Sequence, residues 1–128
     1  MEVYREYRDL TGKVINSTPL GSDIEVHIQV RALDDRYLNN VAVVDLLPGG
    51  FEVIRDSVSS ENVDYVDVRE DRVVFFMHVD QSAKELVYRI KATNMGKYAV
   101  PPVFAESMYI PTIDAHGVSS NISVTEQQ

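Results

Sequence analysis

A chain of 128 residues, 45% hydrophobic and 25% charged, holds enough apolar material for one continuous core and too much to remain disordered. Its formal net charge of −8, with basic residues standing singly beside acids, repels a phosphate backbone and argues against a nucleic-acid partner. The lack of cysteine excludes disulfides, thiol nucleophiles and thiolate metal sites, so packing and hydrogen bonding must hold the fold.

A strand-like pattern (Val3, Tyr4, Tyr7, Leu10) begins almost at Met1 without a basic-then-apolar leader, which reads as an excised piece of a longer protein. No apolar run approaches the roughly 20 residues that span a bilayer as a helix. From Asp23 to Arg31 the residues Ile24, Val26, Ile28 and Val30 alternate with polar ones, the period of a strand with one buried face. Val41 to Leu47 is a nearly continuous apolar run ended by Pro48-Gly49-Gly50, after which Phe51, Val53 and Ile54 resume the extended pattern. This predicts strand, tight turn, strand.

Tyr65, Val66 and Val68 lead through the charged tip Arg69-Glu70-Asp71-Arg72 into Val73 to Met77, a hairpin whose second strand has bulk on both faces and so belongs at the centre of a sheet. Leu86, Tyr88, Ile90 and Ala92 form a second alternating run, closed by Asn94-Met95-Gly96. Pro101-Pro102 cannot both donate to a ladder and mark an edge or a strand switch. A last strand is predicted between Val118 and Thr125. With no helical period anywhere, the expectation is an all-β, immunoglobulin-like antiparallel β-sandwich of about seven to nine strands, filling residues 1–128 as a single domain.

The side chains that could do chemistry do not assemble by pattern. His27 is expected on a solvated strand face, His78 at a strand end and His116 in a loop, with nothing to converge them on a metal. The acidic pairs Asp34-Asp35, Asp64 with Asp67, and Glu70-Asp71 lack the spacing of a calcium loop and read as solvating charge. No serine stands in Gly-x-Ser-x-Gly, and Gly49-Gly50 is turn chemistry, not a phosphate cradle; neither catalysis nor a cofactor is expected. One segment is unusual: Tyr98 to Pro111 stays apolar and aromatic through a proline-rich, turn-prone stretch. Core packing beneath a sheet switch and a contact surface built from Met and Tyr are both open readings.

Four stretches of the chain resemble the C-terminal macroglobulin-like domain of bacterial alpha-2-macroglobulins: Val43 to Glu52, Arg69 to Phe76, Tyr88 to Pro102, and Ala105 to Pro111. The resemblance implies a non-catalytic C-terminal piece of a large periplasmic or cell-envelope protease trap, with target proteases met by the full-length protein and neighbouring domains of the same chain as direct partners. It also implies that Met108 and Tyr109, flanked by Glu106 and Pro111, pack over a thioester in a neighbouring domain. The family usually has aspartate after the Met-Tyr pair, where this chain has Ile110. The alternative is an immunoglobulin-like spacer or adhesion module of a bacterial surface protein, which shares the Leu-Pro-Gly-Gly-Phe turn.

Overall fold

The two alternating runs become neighbours in one sheet. In this computed structural model, which describes residues 1–33, 37–59, 61–109 and 114–126, they form β3 (Asp23–Arg31) and β8 (Lys84–Ala92). Their antiparallel register sets Ile24 opposite Ile90, Val26 opposite Tyr88 and Ile28 opposite Leu86, and all six side chains are buried. Antiparallel β1 (Glu2–Arg8) flanks β3 and β5 (Phe51–Ile54) flanks β8, which completes a four-stranded sheet in the order β1-β3-β8-β5.

Facing it is a five-stranded sheet, β11-β10-β4-β7-β6, built from β4 (Leu38–Leu46), β6 (Tyr65–Val68), β7 (Arg72–Val79), β10 (Phe104–Ser107) and β11 (Asp114–His116). The β6–β7 hairpin forms as the sequence predicts, and β7 is central, between β4 and β6. A third, three-stranded sheet joins β2 (Ser17–Pro19), β12 (Ser120–Thr125) and β9 (Gly96–Val100). There β2 and β12 run parallel, the one departure from antiparallel pairing among the described strands.

Twelve strands are therefore described, where the sequence pattern suggests seven to nine. The additional ones are short. β2 and β11 have three residues each, too few to show a period, and the bend at Pro101-Pro102 divides β9 from β10. β9 and β12 pair antiparallel, as do β10 and β11, and between them the Gly117 amide donates to the Val103 carbonyl at 2.7 Å. The result is one bent hairpin that leaves the three-stranded sheet and enters the five-stranded one.

The core lies between the first two sheets. Val26, Ile28 and Ile90 on one side and Val41, Val43, Val73, Phe75 and Met77 on the other are fully buried, and the rings of Phe75 and Tyr88 meet across the gap at 6.1 Å. Each such aliphatic or aromatic side chain contributes about 1.5–3 kcal/mol by leaving water. The Pro48-Gly49-Gly50 turn carries the chain from β4 to β5, hence from one sheet to the other. Gly50 has φ +76°, and a Cβ there would strike the ring of Tyr98; at Gly49 it would come within 2.9 Å of the same ring. The Tyr98 hydroxyl in turn donates to the carbonyls of Met95 (2.8 Å) and Asn94 (3.1 Å). Tyr98 thus fastens the cross-sheet turn to the start of the bent hairpin. Among the described residues no helix is long and apolar enough to cross a membrane.

Candidate functional site

The segment Tyr98 to Pro111 divides along its length. Val100, Val103 and Ala105 are buried, and Tyr98 is partly so; up to this point the segment is core beneath a sheet switch. In β10 the alternation is strict: Ala105 and Ser107 face inward, Phe104 and Glu106 outward. Glu106 is half-buried, opposite Ala42 of β4 on one side and Asp114 of β11 on the other.

Beyond Ser107 the chain leaves the sheet. The Met108 amide still donates to the Asn40 carbonyl at 2.9 Å, where Asn40 holds a left-handed φ of 57° and the β4–β7 register shifts between Leu38 and Val41. A bulge of this kind is a device for re-aiming a strand end. Met108 is 55% exposed and Tyr109 77% exposed, so the last backbone anchor lies immediately before two large uncovered side chains. The structure therefore joins Met108 and Tyr109 as adjacent exposed groups and places Glu106 on the sheet's outer face; Ile110 and Pro111 lie outside the described residues.

The histidines stay apart. His27 is on the outer face of β3, as its position in the alternation requires, yet only 9% exposed rather than solvated. Its ring is enclosed between Glu25 (Nε2 to Oε1, 3.1 Å) and Glu85 (Nδ1 to Oε1, 3.2 Å). His78 stacks on Tyr37 with centroids 5.4 Å apart, and the His116 ring meets Phe104 at 4.8 Å. Among the described residues no three His, Asp or Glu side chains are grouped to hold a metal ion. Asp67 pairs with Arg69 and Asp71 with Arg72 at the exposed hairpin tip, while Asp34-Asp35 lies outside the described residues.

The sequence pattern does not reveal a polar cluster inside the core. Asp45, embedded in the apolar run of β4, is 1% exposed and is ion-paired with the Arg5 guanidinium, itself 4% exposed at the side chain. The Tyr88 hydroxyl donates to the other carboxylate oxygen, and the second Arg5 nitrogen donates to the Pro101 carbonyl at 2.6 Å. Burial pushes the Asp45 carboxyl above its usual range, while Arg5 and the Tyr88 hydroxyl draw it back toward the ionised form. Every member has a partner, so the cluster is tolerated in the interior, and it ties together β1, β4, β8 and the proline bend. The one available hint is the acid itself in Val43-Val44-Asp45-Leu46-Leu47. This arrangement binds structure to structure and leaves no open group for a substrate.

The sequence pattern described as the Bacterial Alpha-2-macroglobulin MG10 domain matches residues 1–112. The alpha-2-macroglobulin homolog of Yersinia pestis is 35% identical over 92% of this chain, which spans only 7% of that protein's length. The native conformation of Escherichia coli alpha-2-macroglobulin superposes with a TM-score of 0.86 at 26% identity, over 97% of this chain and 9% of that one. The trypsin-activated form of the E. coli protein gives the same TM-score, 0.86, at 28% identity over 96% of this chain and 10% of that one. The match runs through both wet-faced strands, the central hairpin and the proline bend. On this evidence the chain belongs to the bacterial alpha-2-macroglobulin family, as a β-sandwich domain of the MG10 type.

Proposed function

We propose that this domain is a non-catalytic, C-terminal part of a protease-trapping inhibitor of the bacterial periplasm or cell envelope, and that Met108 and Tyr109 cover a thioester in a neighbouring domain. The observation that carries this reading is the pairing of a rigid base with an uncovered apolar end. Ala105 and Ser107 are buried, the Met108 amide is anchored on Asn40, and the two side chains that follow are mostly exposed. A thioester hydrolyses when water reaches its carbonyl; a thioether and a phenol ring exclude water without competing strongly as nucleophiles. The equal likeness to native and trypsin-activated forms of the E. coli protein supports a domain that moves as a rigid body when its parent changes state.

In the full-length parent, Met108→Ala combined with Tyr109→Ala is expected to shorten the lifetime of the thioester on the order of tenfold, read as thiol release in the absence of protease. Unchanged thiol release and unchanged trapping of a test protease would remove the cover assignment. A parent sequence without Cys-x-Glu-Gln would leave the pair a docking contact alone.

A further inference from the structure

The two outer faces of the sandwich differ in kind. On the four-stranded sheet the outward positions form a lattice of charge, with ion pairs between Arg31 and Glu2, Arg8 and Glu6, Arg89 and Glu25, and Lys91 and Asp23. That is the ordinary wet face of an antiparallel sheet. On the five-stranded sheet the centre of the outward face is apolar, with His116, Asp67 and Arg72 at the ends of its rows. The register lays Phe104, Val44 and Val74 in one row across β10, β4 and β7, and Phe76 beside Tyr65 in the next, with Leu46 beyond. All but Tyr65 are half-buried, and Tyr65 is 65% exposed. An apolar patch rimmed by charged and polar side chains is the form that contact surfaces take.

We infer that the outer face of the five-stranded sheet is a docking surface for another domain of the same parent chain, continuous with the Met108–Tyr109 end; this deepens the proposed function and rests on its reading of the domain as one part of a larger assembly. Two observations choose that occupant. The chain spans 7% of the length of its Yersinia pestis relative, so most of such a parent is other domains held close by covalent linkage. The face also runs along β10 into the segment that bears Met108, which the proposed function already sets against a neighbour. Its chemistry specifies the partner's surface. Glu106 and Asp114 stand directly opposite each other on this face, a like-charge pair that is unfavourable within the sheet, and neither has an ion-pair partner among the described residues. The docking domain therefore presents an apolar patch with a lysine or arginine at the edge that meets Glu106 and Asp114.

Tyr65 and Tyr4 provide a matched pair for the test, since they are 65% and 58% exposed on opposite outer faces of this domain. Hydroxyl-radical footprinting of the full-length parent is expected to label Tyr65 about fivefold less than Tyr4, because an interface core excludes solvent. Val74→Lys should raise Tyr65 to the level of Tyr4, whereas Val87→Lys on the charged face should not. Equal labelling of the two tyrosines in the unmodified protein overturns the inference, whether or not Val74→Lys folds. The outcome is independent of thioester lifetime: protection of Tyr65 with no effect of the Met108/Tyr109 double substitution keeps the docking surface and removes the cover.

Discussion

Phe75 and Phe76 are neighbours in sequence with opposite fates. Phe75 is fully buried against Tyr88, while Phe76 points outward beside Tyr65 at 5.9 Å. Truncating a buried ring removes its transfer energy and leaves a cavity, so Phe75→Ala should cost about 3–5 kcal/mol and Phe76→Ala markedly less. Paired urea melts of the two variants check this, and equal losses would contradict the placement. Alternation made that difference legible in principle, since residues of like parity share a face, but which parity faces inward in a strand with bulk on both sides is decided only by the opposing sheet. Asp45 was illegible for a related reason. Its partner Arg5 lies 40 positions away, and nothing local distinguishes a buried, paired carboxylate from an interruption in an apolar run. The buried tyrosines have a consequence at high pH. Burial raises the Tyr7 phenol above its ordinary value, and burial followed by the charge of Asp45 raises Tyr88. Both keep their protons in the fold while the unfolded chain loses them near pH ~10, so their contribution is complete below that pH and is lost as pH rises above it. Tyr7→Phe should leave stability at pH 7 nearly unchanged and flatten the loss between about pH 10 and 12, measured as unfolding free energy against pH.

Among the elements, the cross-sheet turn is the most exacting. Gly50 meets two demands at once, a left-handed φ of 76° and room for the Tyr98 ring. Gly→Ala stabilises by up to about 1 kcal/mol where the backbone is compatible; Gly50→Ala instead incurs both the backbone strain and the clash, and should destabilise by more than that amount. Tyr98→Ala made on that background should recover part of the loss, because it empties the space the new methyl needs; additive losses in thermal melts would contradict the cradle. The turn itself was readable from Pro48-Gly49-Gly50, and the strand switch from Pro101-Pro102, because proline and glycine act through local backbone geometry. The destinations of those turns were not readable. That β4 and β5 enter opposite sheets, and that β2 pairs parallel with β12, depends on contacts between segments far apart in sequence. The candidate segment was legible to a similar depth. The apolar stretch from Tyr98 to Pro111 stood out by composition and Met108 and Tyr109 within it by the family resemblance, whereas the bulge at Asn40 that anchors its base gave no signal of its own.

For the molecule as a whole, the sandwich is asymmetric: one outer face carries a lattice of ion pairs, and the other is apolar at its centre and bordered by Glu106 and Asp114, which have no ion-pair partner among the described residues. Under the proposed function, such a domain works through where it attaches and how firmly it transmits displacement. The Arg5 cluster bears on the second point. One guanidinium reaches from β1 to Asp45 on the facing sheet and to the Pro101 carbonyl at the bend of the long hairpin. Sheets held only by side-chain packing can slide past each other under load; these two share a charged rivet beside the bend where the hairpin enters the five-stranded sheet. A pull applied at Tyr109 is then borne in shear by the ladder of β10 with β4 and passed through that rivet to β1 and β3, so that the sandwich yields as one body. In single-molecule pulling between residues 1 and 109, Asp45→Asn should lower the rupture force and introduce an intermediate extension, whereas an unaltered single-step rupture would show that packing alone resists the slide.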